Sequence, residues 1–219
     1  MKWLRMRKRR CLIPVYMVFY LLSFRFLEKH VTTNYHVITS PLDKYIPFCE
    51  VFVIPYYLWF VYMTAVLIYF AFFSASIREY NQLAFTLGIG MTIFLLVSLL
   101  YPNGLHLRPA SFPRDNFLTR WVAALYRTDT PTNVFPSIHV FNSLAACVAI
   151  HRCQALKKRR RIRIGSLILS VLIILSTMFL KQHSFTDVTA AFLMYAVLYV
   201  LIYRPERLFA PAHSKISAD

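Results

Sequence analysis

Long apolar runs, separated by short polar or basic segments, are the feature of this sequence that most constrains its fold. Several of them approach or exceed the ~18 residues that are typical of a helix crossing a bilayer. Because 58% of the residues are hydrophobic and only 4 are glycine, such runs make up most of the chain. The sequence therefore predicts a polytopic membrane protein of the all-α class.

Six of the runs are predicted to be transmembrane helices that pack into one bundle. Their approximate limits are residues 11–27, 50–73, 82–101, 135–153, 164–180 and 185–203. In the long connection between the third and fourth helices, residues 117–126 predict a short helix lying in the membrane interface. Gly88 and Gly90 predict close packing of the third helix against a neighbour. Tyr56, Tyr57 and Trp59 are interpreted as an aromatic belt at the interface.

Basic residues are distributed unequally between the two ends of this predicted bundle. Residues 1–10 form a basic head, residues 11–203 the six-helix membrane domain, and residues 204–219 a polar tail. The side of the N-terminus carries 16 Lys and Arg residues, against 8 on the other side. Loops rich in these residues stay in the cytoplasm. We therefore predict a plasma-membrane protein with both termini cytoplasmic and the loops that lead into the fourth and sixth predicted helices outside.

Charge and cysteine content limit the classes of partner. The net charge of +16 does not indicate a nucleic-acid partner, because the basic residues lie between apolar runs and not on an aromatic-studded face. The four cysteines lack the spacing of a metal site and are interpreted as small hydrophobic residues. No clustered carboxylates suited to magnesium are present. The sequence predicts no metal or other cofactor, and it leaves the oligomeric state open.

Pro136-Ser137-x-His139 marks the point where a polar loop gives way to the fourth apolar run. Pro136 is expected in the first helical turn, where proline is tolerated, with Ser137 and His139 just inside the helix. A first turn has unpartnered N–H groups and the positive end of the helix dipole, and it therefore binds anions. A serine at a helix start is commonly only a cap, so a structural interpretation stays open for this motif alone.

A second cluster, His183 to Asp187, lies at the start of the sixth predicted helix. Positions four apart share one helix face, so Asp187 can accept a hydrogen bond from one ring nitrogen of His183 and leave the other nitrogen nucleophilic. Arg108 offers a planar fork for two phosphate oxygens, and Lys181 adds a second positive charge. If the bundle is compact, these outer segments converge on one phosphate site.

Three short motifs, in this order along the chain, resemble the signature motifs of the type 2 phosphatidic acid phosphatase superfamily of membrane lipid phosphatases and phosphotransferases. They are Arg108-Pro109, Pro136-Ser137-x-His139 and His183-x-x-x-Asp187. The resemblance covers about residues 101–187. In addition, Asp129-x-Pro-x-Asn133 and Lys181-Gln-His183 are similar to the branch that includes inositol phosphorylceramide synthase.

The resemblance implies a role for each of the matching residues. His183 would attack phosphorus and become phosphohistidine, while Asp187 holds its tautomer and stabilises the charged ring. His139 would protonate the departing oxygen, and Ser137 and Arg108 would stabilise the transition-state oxygens. The family reaction needs no metal.

Two positions depart from the family pattern. Tyr101 stands where the first motif has a lysine, and Thr177 where the third has an arginine. Lys181 is a candidate to replace the missing arginine in binding phosphate, and Arg114 to replace the lysine. If neither does so, the pocket is short of positive charge.

Four further residues near the motifs are candidates for substrate contact or support. Tyr101 and His106 lie close to Arg108 in the sequence and are candidates for touching the substrate. Asn133 either orients His139 or satisfies the backbone at a helix end. Asp129 is interpreted as a turn or cap residue in preference to a catalytic one.

The leading functional hypothesis is hydrolysis of a lipid phosphomonoester or diphosphate, of the phosphatidate, phosphatidylglycerophosphate or polyprenyl phosphate type. The alternative is a lipid head-group phosphotransferase, similar to an inositol phosphorylceramide or sphingomyelin synthase. A lipid-binding protein with a decayed site is a third possibility, prompted by Tyr101 and Thr177. In every case the expected partners are the bilayer and a lipid phosphate.

Overall fold

The computed structural model describes residues 12–31 and 34–204. The predicted basic head, Cys11 and most of the predicted tail lie outside the described residues. Within them the chain forms seven α-helices: α1 Leu12–His30, α2 Val53–Ile68, α3 Ile77–Leu100, α4 Phe117–Thr128, α5 Ile138–Arg152, α6 Arg160–Phe179 and α7 Phe185–Tyr203. Two short parallel strands, β1 (His36–Val37) and β2 (Asn103–Gly104), join the loops that follow α1 and α3. The predicted all-α class is confirmed.

Four of these helical segments are long and apolar enough to cross a membrane, where the sequence predicted six. They are Glu50–Phe73, which extends α2 by a turn at each end, Ile77–Leu100, Arg160–Phe179 and Phe185–Tyr203. With 15 residues, α5 reaches about 22 Å, which is less than the ~30 Å hydrocarbon core. The last turns of α1 contain Arg25, Glu28 and Lys29, which interrupt its apolar run.

Several helix starts differ from their predicted positions, including that of α6, which begins at Arg160 instead of residue 164. Caps explain two of these differences. The side chain of Ser76 accepts a hydrogen bond from the N–H of Glu79, so α3 begins at Ile77 instead of residue 82. Ser137 is the N-cap of α5, which places Pro136 outside the helix and not in its first turn. The limits of α7 agree with those predicted.

The short helix α5 lies at the centre of the bundle. It packs against α2, α3, α6 and α7, and 11 of its 15 residues are buried. A helix enclosed by protein on most sides can carry polar side chains such as Asn142 and Ser143, which a lipid-facing helix cannot. Burial within the bundle therefore accounts for its lower hydrophobicity.

The loops interlock at the end of the bundle where α5 and α7 begin. The N–H of Cys49 donates to the carbonyl oxygen of Phe179 at 3.0 Å, and the N–H of Asn133 to that of Asn103 at 2.7 Å. Helix α4 buries Val122 in a small apolar cluster with Val53 and Tyr56. Its observed limits extend two residues beyond the predicted 117–126.

The prediction that α3 packs closely against a neighbour is confirmed at Gly90 and is wrong at Gly88. A Cβ atom at Gly90 would lie 2.1 Å from the ring of Phe141 on α5, whereas one at Gly88 would meet nothing within 4 Å. The ring of Phe141 is itself fully buried. Gly90 therefore sets how closely α3 approaches the central helix.

We predict that Gly90→Ala lowers the free energy of unfolding by about 1–3 kcal/mol, because the buried ring of Phe141 has to move to accommodate the methyl group. The matched variant Gly88→Ala should be neutral or stabilise by up to about 1 kcal/mol through helix propensity. Thermal unfolding of both variants in detergent measures the difference. Equal midpoints would contradict this account of α3–α5 packing.

Candidate active site

The starts of α5 and α7 lie side by side. The N–H of Ser137 donates to the carbonyl oxygen of Asp187 at 3.2 Å, which joins the two helix ends directly. As a result the rings of His139 and His183, 44 residues apart in the chain, have centroids 5.8 Å apart and planes inclined by 58°. At this separation both side chains can reach one phosphoryl group.

His183 faces Asp187, but not across one helix face as the spacing predicted, because His183 precedes the N-cap Ser184 and lies outside α7. The Nδ1 atom of the imidazole lies 3.4 Å from Oδ2 of the carboxylate, and both side chains are buried. This is ion-pair distance, longer than a well-formed hydrogen bond. The same Oδ2 accepts the N–H of Ser184 at 2.8 Å. The backbone of His183 is fixed in turn, because its N–H donates to the carbonyl oxygen of Thr177 at 3.0 Å.

His139 is enclosed by aromatic rings. The ring centroid of Trp59 lies 4.4 Å and that of Tyr56 4.8 Å from the imidazole, and the histidine is 9% exposed. Its buried Nδ1 atom has no hydrogen-bond partner in the part of the chain that the structure describes. Tyr56 is fully buried and so forms part of the site, not of the predicted aromatic belt.

Arg108 is held at the C-terminal end of α4. Its guanidinium donates to the carbonyl oxygens of Tyr126, at 2.9 Å, and Asp129, and to the side chain of Gln182. The last carbonyl groups of a helix lack partners within it and attract a cation. Burial lowers the pKa of Arg108, but a guanidinium stays protonated in proteins. Because both terminal nitrogens bind protein, the predicted two-pronged phosphate fork is only partly free.

Asp129 is both a cap and a site residue, whereas the sequence favoured a cap alone. It ends α4, and its carboxylate accepts the hydroxyl of Tyr56 and, at 3.5 Å, the amide of Gln182. Sequence analysis missed Tyr56 and Gln182 as site residues. The one available signal for Gln182 was its position beside His183 in a motif-like triplet.

Neither candidate for the missing positive charge is directed at the histidines. The ammonium of Lys181 donates to the carbonyl oxygens of Asp43, at 3.0 Å, and Ile46, and burial lowers its pKa. The guanidinium of Arg114 pairs with Glu50 at 3.3 Å. Both side chains link separate segments at this end of the bundle, so their predicted phosphate contacts would require a different side-chain arrangement.

Tyr101 and His106 lie at the protein surface. The ring of Tyr101 stacks on that of His36, with centroids 4.4 Å apart, and His106 packs beside Tyr35 at 5.9 Å. Both residues are exposed. The structure therefore does not bring these two candidates against the buried histidine pair.

Asn103, which the sequence did not single out, holds the loop that leads to His139. Its Oδ1 atom accepts the N–H groups of Val134, at 2.8 Å, and Phe135, at 2.9 Å. Its Nδ2 atom donates to the carbonyl oxygen of Tyr101 at 2.8 Å. Asn133 has a left-handed backbone, with φ 55°, and the described residues offer its buried amide no partner. Neither of its two predicted roles, satisfying the backbone at a helix end or orienting His139, is seen.

An open cleft of about 260 Å³ leads to His139 between α1, α2 and α4. Phe24, Phe60 and Leu125 contribute to its apolar walls, and Asp129 and Glu28 supply carboxylates. The cleft therefore joins an apolar surface to the imidazole. Across residues 12–31 and 34–204, no three His, Cys, Asp or Glu side chains are grouped so as to hold a metal ion.

Fold and site together define a helical protein with membrane-compatible apolar helices and a paired-histidine centre at one end of its bundle. A family model described as the PAP2 superfamily matches residues 84–208, more than half of the chain. The protein therefore belongs to the PAP2 superfamily, whose members are phosphoesterases. No curated protein and no solved structure matches the chain.

We predict that Asn103→Ala lowers the free energy of unfolding by about 2–4 kcal/mol, because two buried N–H groups lose their acceptor at about 1–3 kcal/mol each. Asn34→Ala removes an exposed asparagine at the same end of the bundle and should change stability little. Chemical or thermal unfolding in detergent compares the two. If both variants unfold like the parent protein, Asn103 does not anchor the loop before His139.

Proposed function

We propose that the protein is an integral membrane lipid phosphatase that works through a phosphohistidine intermediate. The observation that carries the proposal is the meeting of His139, His183 and Asp187 at two adjacent helix starts. Each supplies what phosphoryl transfer through histidine needs: a nucleophile, a carboxylate that orients it, and a second imidazole for proton transfer.

In the proposed reaction, Nε2 of His183 attacks phosphorus and the bond from phosphorus to the lipid oxygen breaks. Asp187, facing Nδ1 at 3.4 Å, keeps the proton on that nitrogen and stabilises the ring as it becomes charged. Protonated His139 gives its proton to the departing oxygen. Water then attacks the phosphohistidine and passes a proton to His139. The bond between His183 and phosphorus breaks, phosphate is released, and both rings return to their starting states.

Transition-state charge would be stabilised at the start of α5 and by Arg108. The first N–H groups of α5 have no acceptor within the helix, and the helix dipole adds positive potential at this point. Ser137 contributes by ending the loop there, since its own hydroxyl accepts the N–H of Val140 at 3.4 Å. The remaining donor capacity of Arg108 completes the proposed phosphate site.

We further propose that α1, α2, α3, α5, α6 and α7 all cross the plasma membrane, with both termini in the cytoplasm. Helix α4 would lie in the outer interface beside the cleft that leads to His139. A lipid could then enter the cleft from the bilayer with its phosphate at the outer surface. The apolar walls of the cleft and the basic-residue distribution support this orientation.

We predict that His183→Ala lowers turnover by at least about 10³-fold and abolishes acid-labile phosphate labelling of the protein. His139→Ala should lower turnover of an alkyl phosphate by about 10²–10⁴-fold, but much less for a nitrophenyl phosphate, whose leaving group needs no proton. His151→Ala is the matched control, because His151 lies at the far end of α5 and its Nδ1 contacts the carbonyl oxygen of Cys147. Labelling that survives His183→Ala would remove the proposed nucleophile.

A second candidate, head-group transfer to a lipid alcohol, is favoured by the charges around the cleft. Asp129 and Glu28 line it, Arg108 is largely engaged with protein acceptors, and Lys181 contacts loop carbonyls. A phosphodiester carries one negative charge where a monoester carries up to two. Nearby carboxylates therefore penalise a diester donor less.

We predict that purified protein in detergent releases free phosphate from phosphatidate or a polyprenyl phosphate without an added alcohol. Parallel reactions should contain a phosphodiester lipid with and without ceramide or diacylglycerol, with His183→Ala protein as the blank. Phosphate release without acceptor supports hydrolysis. Turnover that requires the lipid alcohol and leaves phosphomonoesters intact would replace hydrolysis with transfer.

A further inference from the structure

A carboxylate from the loop between α1 and α2, here called the first outer loop, occupies the start of α7. Oδ1 of Asp43 accepts the N–H of Phe185 at 2.8 Å, and its Oδ2 accepts the hydroxyl of Ser184 at 2.7 Å. The same Oδ2 accepts the N–H of Ser40, also at 2.7 Å. Asp43 is 5% exposed although it is 141 residues from Ser184 in the chain. Both of its carboxylate oxygens thus bind donors.

Further hydrogen bonds fasten the same two segments together. The ammonium of Lys181 donates to the carbonyl oxygen of Asp43, and the hydroxyl of Thr186 donates to that of Thr39 at 3.2 Å. These contacts flank His183 on both sides in the sequence. The first outer loop therefore encloses the segment that carries this histidine.

Two helix starts meet at the site, and Asp43 places a negative charge at only one of them, the start of α7. The positive end of a helix attracts an anion, and at α7 the anion is already part of the protein. The carboxylate satisfies the N–H of Phe185, which has no acceptor within the helix. A substrate phosphate is therefore left with the start of α5, where His139 lies in the first turn.

We propose that Asp43 is a positioning residue for the nucleophile. It holds the start of α7 so that His183 faces Asp187, and it keeps phosphate away from that helix end. This inference rests on the proposed function of His183. Asp43 lies outside residues 84–208, the range that matches the family, so its role follows from contacts and not from family membership.

Asp43→Asn is the most direct test, because asparagine has nearly the same size but replaces one acceptor oxygen with an NH₂ group that faces donors. We expect kcat to fall about 10–100-fold, as for a small misplacement of a reacting group, with KM within about 2-fold. Rapid-quench labelling should show slower formation of phosphohistidine. Asp115→Asn, which removes an exposed carboxylate from the same end of the bundle, is the matched control and should behave like the parent protein.

Chemical rescue tests whether a carboxylate at this place is what matters. Asp43→Ala should lose activity, and formate should restore it at least several-fold by occupying the space at the start of α7, with no effect on Asp115→Ala. Thermal unfolding confirms that each variant is folded. If Asp43→Ala does not fold, the kinetics of Asp43→Asn provide the test.

Two results would overturn the inference while leaving the proposed function intact. One is parent-like kcat and labelling in folded Asp43→Asn, and the other is a loss of activity expressed entirely in KM. By contrast, a parent protein that never forms phosphohistidine contradicts the proposed function itself. The two failures are therefore distinguishable in the same set of assays.

Discussion

The hydrogen bond from the N–H of Ser137 to the carbonyl oxygen of Asp187, 3.2 Å long, is the contact on which the site depends. It joins the starts of α5 and α7. His139 lies in the first turn of α5, and His183 lies just before the N-cap of α7. Since α6 runs back between them, both helices must begin at the same end of the bundle. A single hydrogen bond contributes only about 1 kcal/mol. This one can fix the position of His139 relative to His183 because the packing of the helices already places their starts side by side.

The N-terminal N–H groups of α5 and α7 have different hydrogen-bond partners. As a result, the two helix starts differ in electrostatic potential. At α7 the N-terminal donors bind Asp43 and Asp187, so the protein supplies its own negative charge there. At α5 the hydroxyl of Ser137 caps one N–H and adds no charge. Positive potential therefore remains at the start of α5, beside His139. An anion that bridges the two imidazoles is favoured on the α5 side, with His183 approaching from the other.

Sequence patterns predicted the parts of the site that are local. The His183-x-x-x-Asp187 spacing predicted that these two side chains meet, although His183 lies just before α7 and not within it. The polar-to-apolar transitions located the starts of α5 and α7 within three residues. Contacts made across the fold could not be predicted, because nothing in the apolar run around Tyr56 indicates that its hydroxyl meets Asp129. Lys181 shows the opposite limit, since a charge beside a motif does not reveal which way a flexible side chain points. The central position of α5 could not be predicted either, because hydrophobicity alone does not separate central helices from lipid-facing ones.

The walls around His139 bear on how the proposed phosphohistidine intermediate would react. Trp59 and Tyr56 cover the ring, and the cleft beside it is lined mainly by apolar side chains, which suits a lipid chain better than a column of water. Polar loops instead surround the segment around His183, where Asp43, Gln182 and Ser184 lie. Water that attacks the intermediate would therefore approach from the loops, while a lipid alcohol would return through the cleft. The choice between hydrolysis and transfer becomes a question of which of these two routes reaches phosphorus first.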